Sequence, residues 1–276
     1  MIYSDHNNTA RRLPWSEAAA DRELEHSAAL VAGAAETGLP AIRWYRIAPP
    51  ALVLGVSQQP HEVNLAACAA RGVPVHRRAS GGGAVLCDEA LLMLDLAFPR
   101  GHPLALSDIT ASYQWLGTAW AATLAELGVD AQLVPVAEAR ADAQTLEPLV
   151  KRVCFAGLSP YEVVSAQRKV VGLAQLRGRG GVLFQAAIHL RWRPERTAEL
   201  MAVTPSERAI LTDWLGRRVV GLEEQCGRAV EAAEVSRSFE TALERQTGMR
   251  LLDDDWSDDE RAAGAAAHAR FAELVP

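Results

Sequence analysis

The spacing of apolar residues divides the first half of the chain into alternating helices and strands. Residues 16–37 place apolar positions at helical spacing after a serine and an acidic first turn, which predicts a helix. Residues 41–47 and 51–56 predict two strands joined by a Pro-Pro turn. A short helix is predicted over 63–72 and a longer amphipathic one over 108–128. Between these helices, residues 73–98 predict strand, glycine loop and strand.

The second half of the chain begins with polar sequence and ends with charged helical sequence. Residues 132–150 are weakly patterned and predict a surface excursion, whereas residues 153–192 predict three short strands with tight turns. From about residue 195 the pattern is mostly helical. Because strands and helices follow no regular βαβ order, the pattern predicts an α+β fold whose mixed central sheet is largely antiparallel and flanked by helices.

Composition narrows the class of protein. The 276 residues are 49% hydrophobic and 22% charged, as expected for a soluble globular chain with a real core. A net charge of −6 argues against nucleic acid or an anionic membrane as a partner. No signal-peptide layout opens the chain, and no apolar run approaches the roughly 18 residues of a membrane span. The four cysteines form no CxxC pair, which favours a reduced, cytoplasmic location.

A triple glycine, Gly81–Gly83, follows two arginines and is the first candidate for chemistry. Glycines allow backbone N–H groups to converge on an anion, and an upstream arginine such as Arg78 could reach the same anion with forked donors. The alternative interpretation is a flexible turn between two strands. The segment matches neither a Walker loop nor a GxGxxG motif.

Lys169 is the second candidate. Only two of the 28 basic residues are lysine, so this ammonium stands out in an arginine-rich chain. It follows a probable turn at 165–168 and begins an apolar strand, which predicts a lysine at a sheet edge whose ammonium could reach a carbonyl or phosphate oxygen. Gly172 would allow a ligand to approach the backbone. A solvated edge lysine is the alternative.

Taken together, these segments resemble the lipoate–protein ligase A and octanoyltransferase family, whose fold is related to that of biotin–protein ligases. The residues that carry the resemblance occur in family order as PALVLGVSQ, RRASGGGAV, RKVVGLAQ and RGRGGVLFQAAIHL. It implies a catalytic domain over 1–255 and a helical tail over 256–276 without an accessory domain. The implied substrate and adenylate contacts are Arg78, Ser80, Gly81, Gly82, Gly83, Ala84, Val85, Leu86, Lys169 and Gly172.

The resemblance implies two possible mechanisms. A ligase would activate lipoate or octanoate with ATP and Mg²⁺ as an acyl-AMP held by Lys169, then transfer the acyl group to a carrier lysine; we expect this mechanism because Gly83 resembles the ligase form. The alternative is an octanoyltransferase that takes octanoate from acyl carrier protein through a thioester on Cys154. Cys154 precedes Lys169 by the spacing that this branch shows. The metal ligands remain unnamed.

The implied partners are the lipoyl domains of 2-oxoacid dehydrogenases or the glycine cleavage H protein. A non-catalytic lipoate binder, or one subunit of a split ligase, is a lesser possibility. The chain departs from the common family pattern at Val56, at Gln185-Ala186 and at Cys87, which would alter the acyl substrate or the carrier.

Overall fold

A computed structural model describes residues 8–274 and contains two β-sheets surrounded by helices. Residues 1–7, 275 and 276, which the predicted domain and tail include, lie outside the described residues. The strands are β1 (Thr9–Arg12), β2 (Ser16–Ala18), β3 (Ala41–Ile47), β4 (Ala51–Leu54), β5 (Val75–Arg77), β6 (Val85–Cys87), β7 (Leu91–Pro99), β8 (Gln132–Leu133), β9 (Val163–Ser165), β10 (Arg168–Arg177), β11 (Gly181–His189) and β12 (Arg250–Asp253).

Ten α-helices cover both sheets within the described range. They are α1 (Ala20–Thr37), α2 (Leu65–Ala70), α3 (Gln114–Glu126), α4 (Val136–Thr145), α5 (Pro148–Lys151), α6 (Pro194–Met201), α7 (Pro205–Arg218), α8 (Leu222–Cys226), α9 (Ala232–Thr247) and α10 (Asp258–Ala267). None of them is long and apolar enough to cross a membrane.

The large sheet has the order β12-β1-β3-β7-β11-β10-β9-β8, with β2 added beside β3. Its central pairs, from β3 to β8, are antiparallel, whereas β1 and β2 run parallel to β3. A second sheet has the order β5-β4-β6. The Pro-Pro turn therefore carries the chain from one sheet to the other. This architecture confirms the predicted α+β fold with a mixed, largely antiparallel sheet.

The large sheet separates two apolar cores, because alternate residues of each strand point to opposite faces. Leu92, Leu94 and Leu96 of β7 belong to the core that contains Trp120 and Phe239. The other face and the small sheet share a second core. The candidate site lies on this second side, between the two sheets.

One local prediction was wrong and two were incomplete. Residues 16–18 pair with β3 instead of beginning the helix, and Ser16 donates a hydrogen bond to Glu23 rather than capping α1. Residues 132–150, predicted as a surface excursion, lie mostly at the surface and contain β8, α4 and most of α5. Strand β12 interrupts the helical C-terminal part by pairing with β1. In the first and third cases a neighbouring strand supplied backbone partners that local sequence does not reveal.

Candidate active site

The glycine loop and the cysteine segment are joined through their backbones. Ala84 donates its N–H to the carbonyl of Arg152 at 2.7 Å, and Cys154 donates to the carbonyl of Ala84 at 3.0 Å. These bonds form a parallel bridge between Ala84 and Val153. Two segments separated by about 70 residues therefore meet, and the Cys154 side chain lies beside the glycines.

Close packing explains why two of these three positions are glycine. A Cβ on Gly83 would lie 2.6 Å from the Arg152 carbonyl oxygen, too close for any side chain. Gly82 has a φ of 97°, and its hypothetical Cβ would lie 3.5 Å from the Sγ of Cys154. A Cβ on Gly81 would meet no atom within 4 Å. The loop is therefore fitted to Cys154 and is more than a flexible turn.

Arg78 stabilises the glycine loop through hydrogen bonds to backbone carbonyls. Its guanidinium donates to the carbonyls of Val53 at 3.1 Å, Gly81 at 2.7 Å and Gly83 at 2.9 Å. The forked geometry of guanidinium suits several acceptors in one plane. Arg78 lines the cavity beside Cys154, and these donors organise the glycine loop.

Ser80 anchors the same loop to the large sheet. Its hydroxyl donates to Oε1 of Gln185 at 2.7 Å, and Nε2 of Gln185 donates to Oδ1 of Asp95 at 2.9 Å. Asp95 in turn accepts from the fully buried Arg43 at 2.8 Å. Gln185, one of the departures from the family pattern, therefore connects the loop to a buried charge network.

Lys169 is fully buried in the interior of the large sheet, so the expected position at a sheet edge was wrong. The predicted turn is present, with positive φ at Ala166 and Gln167 between β9 and β10. The strand pairing then shifts between Lys169 and Val171, which is a β-bulge. Val170 and Val171 both enter the Trp120 core, and Lys169 is directed to the opposite face.

The ammonium of Lys169 is held by a carboxylate and a carbonyl. Nζ lies 2.7 Å from Oε2 of Glu162, which is also buried, and donates to the carbonyl of Cys154 at 3.2 Å. It also lies 5.5 Å from the centre of the Phe155 ring. Glu162 is a site residue that the sequence reasoning missed, because a glutamate in a loop has no pattern that marks it as a partner of Lys169.

A mostly apolar cavity, partly open to solvent, lies between the two sheets beside Cys154. It is lined by Leu24, Tyr45, Ile47, Val53, Arg78, Val85, Cys87, Met93, Cys154, Phe155, Gly172, Leu173, Ala174, Gln185, Ala186 and Ala187. Such a lining suits the hydrocarbon part of a ligand, with polar groups at one side. Cys154 is only partly buried and is the thiol next to the glycine loop.

The floor of this cavity is one row of residues across four adjacent strands. Gly172 pairs with Ala187, Ala187 with Met93, and Met93 with Tyr45. Directly opposed residues in antiparallel strands point to the same face. The small residues on the Cys154 side leave an open trench, and the larger ones fill its far side. Gly172 also makes room for Phe155, because a Cβ there would lie 3.3 Å from that ring.

Burial shifts the pKa values of two groups at or near the cavity, Cys87 and His189. Burial raises the pKa of Cys87 to about 12, so this second thiol of the cavity stays protonated near neutral pH. Burial lowers the pKa of His189 to about 3, which leaves its imidazole neutral between Phe155 and Trp192. Neither group is equipped for acid–base work near neutral pH, and Cys154 is the less buried of the two thiols that line the cavity.

Not every predicted residue converges on the cavity. Leu86 faces a separate depression bordered by Pro50 and Arg71, since its side chain points to the other side of β6. Lys169 lies behind Cys154 and Phe155 and does not line the cavity wall. Across residues 8–274, no three His, Cys, Asp or Glu side chains are arranged to hold a metal ion.

The mixed sheet, the glycine loop and the buried lysine beside a cysteine define an acyl-handling enzyme class. Residues 21–244 match the model of the lipoyl protein ligase A/B catalytic domain. The chain belongs to this family and is an enzyme of the lipoate–protein ligase and octanoyltransferase type.

The chain is similar in sequence to octanoyltransferases and in fold to lipoate ligases. The chain is 34% identical over 238 residues to the octanoyltransferase LipM of Moorella thermoacetica, covering 84% of each chain. A bipartite lipoate protein ligase from Thermoplasma acidophilum has a similar structure, with a TM-score of 0.76, 18% identity and coverage of 96% and 93%. Lipoate-protein ligase A bound with ATP is similar with a TM-score of 0.75, 20% identity and 95% coverage of both chains. At these identities, the two structures establish the fold alone.

Proposed function

We propose that this protein is an octanoyltransferase that moves an octanoyl group from acyl carrier protein to a lysine of a lipoyl domain through a thioester on Cys154. The observation that carries the proposal is the position of Cys154, whose side chain lines the apolar cavity and adjoins Gly82. The 34% identity to an octanoyltransferase over 238 residues supports the same branch.

The chemistry requires two acyl transfers. The Cys154 sulfur attacks the thioester carbonyl of the donor, the carrier thiolate leaves and takes up a proton, and an acyl-Cys154 thioester forms. The uncharged amine of the acceptor lysine then attacks this thioester. An amide forms, the amine loses a proton, and the Cys154 thiol is restored. No ATP is consumed.

Each transfer passes through a tetrahedral oxyanion that needs hydrogen-bond donors. Within residues 8–274, the N–H groups of Gly81, Gly82 and Gly83 donate no hydrogen bond. They lie beside Cys154 and are the donors that we assign to this role. Lys169 does not contact the acyl group in this assignment: its ammonium, paired with Glu162, donates to the Cys154 carbonyl and thereby positions the reacting residue.

The ATP-dependent ligase, which the sequence alone favoured, has less support. That preference depended on Gly83, and Gly83 has a packing reason that is independent of ATP, namely its contact with the backbone at Arg152 and Cys154. The 34% identity to an octanoyltransferase over 238 residues outweighs this single glycine. ATP and Mg²⁺ belong only to that alternative.

Mass spectrometry of the intact protein tests the proposal. Octanoyl-acyl carrier protein without ATP should add one octanoyl mass to Cys154, removable by hydroxylamine, and a lipoyl domain should then receive it. Cys154→Ser should abolish the transfer, whereas Cys226→Ser, a cysteine outside the cavity, should not. Lipoate plus ATP labelling the lipoyl domain equally well in Cys154→Ser would overturn the proposal in favour of the ligase. No labelling under any condition would favour a non-catalytic binder or a split-ligase subunit.

Location and domain organisation complete the proposal. Four free cysteines fit a reduced cytoplasm, where the carrier proteins would be met. We assign residues 1–255 to the catalytic domain and 256–276 to a tail. Within this tail, α10 lies against α1, and the carbonyl of Phe271 contacts the ring of His76 at 2.8 Å.

A further inference from the structure

We infer that Met93 sets the length of the acyl chain that this enzyme accepts, with a limit near eight carbons. The inference rests on the proposed function, because it assumes an acyl group attached at Cys154. It assigns to Met93 a specificity role at the floor of the apolar cavity.

The strand register allows distances across the cavity to be estimated from the spacing between strands. Gly172, Ala187, Met93 and Tyr45 occupy one row on β10, β11, β7 and β3. Neighbouring strands are about 4.8 Å apart, so Met93 lies two spacings, or about 10 Å, from Gly172. Tyr45 lies one spacing further.

The cysteine end of this row is fixed by contact. Phe155, the residue after Cys154, covers Gly172 so closely that a Cβ there would lie 3.3 Å from its ring. Because the Phe155 ring fills the space over Gly172, an acyl chain that starts at the Cys154 sulfur passes beside this ring and then runs over Ala187, whose short side chain does not obstruct it. Met93 is the first large side chain in its way.

The length of the chain matches this distance. With carbon–carbon bonds of about 1.5 Å and angles near 111°, an extended octanoyl chain spans about 9 Å. Its methyl end would reach Met93, and further carbons would collide with it. Met93 is partly exposed toward the cavity although its strand neighbours Leu92 and Leu94 are buried in the other core.

Tyr45 closes the space behind Met93. It is fully buried, and its hydroxyl donates to Oδ1 of Asp95 at 3.4 Å, within the network that also holds Arg43. Tyr45 is therefore fixed, whereas Met93 has no such restraint. Shortening Met93 should extend the trench by about one strand spacing, up to the Tyr45 ring.

The test measures acyl-Cys154 formation with acyl carrier protein bearing chains of 6, 8, 10 and 12 carbons. The parent should prefer 8 carbons. Because each buried methylene is worth about a fourfold change, Met93→Ala should raise the 10-to-8 ratio about tenfold or more. Met93→Phe should shift the preference toward 6 carbons, and Met93→Leu, which conserves volume, should keep the parent profile.

Met201→Ala is the matched control. Met201 is a fully buried methionine on α6 that does not line the cavity, so the same substitution should lower stability without changing the length profile. An unchanged profile in both Met93→Ala and Met93→Phe would overturn the inference.

If the proposed function is wrong, the acylation experiment gives a different result. If the parent forms no adduct on Cys154 with any chain length, the thioester mechanism is wrong. The length profile is then measured on the lipoyl domain with free fatty acids and ATP. The same shift in Met93→Ala is expected there, and its absence would overturn the role of Met93 independently of the donor.

Discussion

Nζ of Lys169 and Oε2 of Glu162 form a buried ion pair at 2.7 Å directly behind Cys154. Glu162 is also bonded by its own loop and by β10, since it accepts the N–H groups of Ser159 at 2.7 Å and Leu173 at 3.1 Å. Removal of either charge leaves the other buried without its partner, which typically costs about 3–5 kcal/mol. The pair therefore combines stability with the positioning of Cys154.

We predict that Lys169→Met lowers the free energy of unfolding by about 3–5 kcal/mol and abolishes acyl transfer. The double variant Lys169→Met with Glu162→Gln should recover most of the stability, because no unpaired charge remains buried. It should stay inactive, since the ammonium at the Cys154 carbonyl is absent. Urea unfolding and acyl-Cys154 formation measure the two effects. A stable double variant with parental transfer rates would show that Lys169 is purely structural.

The three glycines permit a graded comparison. We predict that Gly81→Ala leaves acylation and stability within a few-fold of the parent, because its Cβ enters open space. Gly82→Ala adds the strain of a positive φ, about 1–2 kcal/mol, and brings a Cβ to 3.0 Å from the Arg78 guanidinium beside Cys154, so acylation should fall more than stability. Gly83→Ala should reduce both, because its Cβ meets backbone at 2.6 Å. Equal rates in all three variants would remove the loop from the acylation step.

Sequence patterns were sufficient to predict the fold class and the family, and insufficient to predict the geometry of the candidate site. The order of the glycine loop, cysteine segment and lysine strand is visible in the chain. Strict alternation, however, puts Lys169 on the same face as Val171 and Leu173, and only the bulge at Val170 reverses this. A bulge depends on the partner strand, so local sequence could not predict it.

Two other features of the site could be interpreted only from the structure. In the sequence, Gly83 favoured a ligase. The structure shows that the backbone at Arg152 leaves no room for a side chain at this position. Gln185 stood out only as a departure from the family pattern, whereas the structure gives it Ser80 and Asp95 as hydrogen-bond partners. In each case the deciding contact joins residues more than 60 positions apart, beyond the range of periodicity and spacing.

The connection from Ser80 to Gln185 predicts a positioning effect. Ser80→Ala removes one hydrogen bond, worth about 1 kcal/mol, and frees the glycine loop from the sheet. We expect the rate of Cys154 acylation to fall about tenfold while the melting temperature changes by only a few degrees. Ser80→Thr keeps the hydroxyl and should restore the rate. Parental rates in Ser80→Ala, measured by rapid quench and mass spectrometry, would contradict this role.

The final prediction concerns acid stability and His189. Its folded pKa is lowered by burial to about 3, below the value of about 6.5 expected in the unfolded chain. Between these values the unfolded state binds more protons, so the free energy of unfolding falls as the pH falls from about 6.5 toward 3. From pH 7 to pH 5 this histidine alone should cost about 2 kcal/mol.

His189→Phe removes the titration and preserves the ring contacts with Phe155 and Trp192, which lie 4.6 Å and 4.5 Å from His189 between ring centres. Urea unfolding at pH 7 and pH 5 should therefore show a loss about 2 kcal/mol smaller in the variant than in the parent. Burial also lowers the pKa of His102, to about 4, so His102→Phe should remove a further share of the loss. The two effects should add if the sites act independently. An identical loss in the parent and in His189→Phe would show that His189 is already protonated in the folded protein at pH 5, contrary to its burial between two aromatic rings.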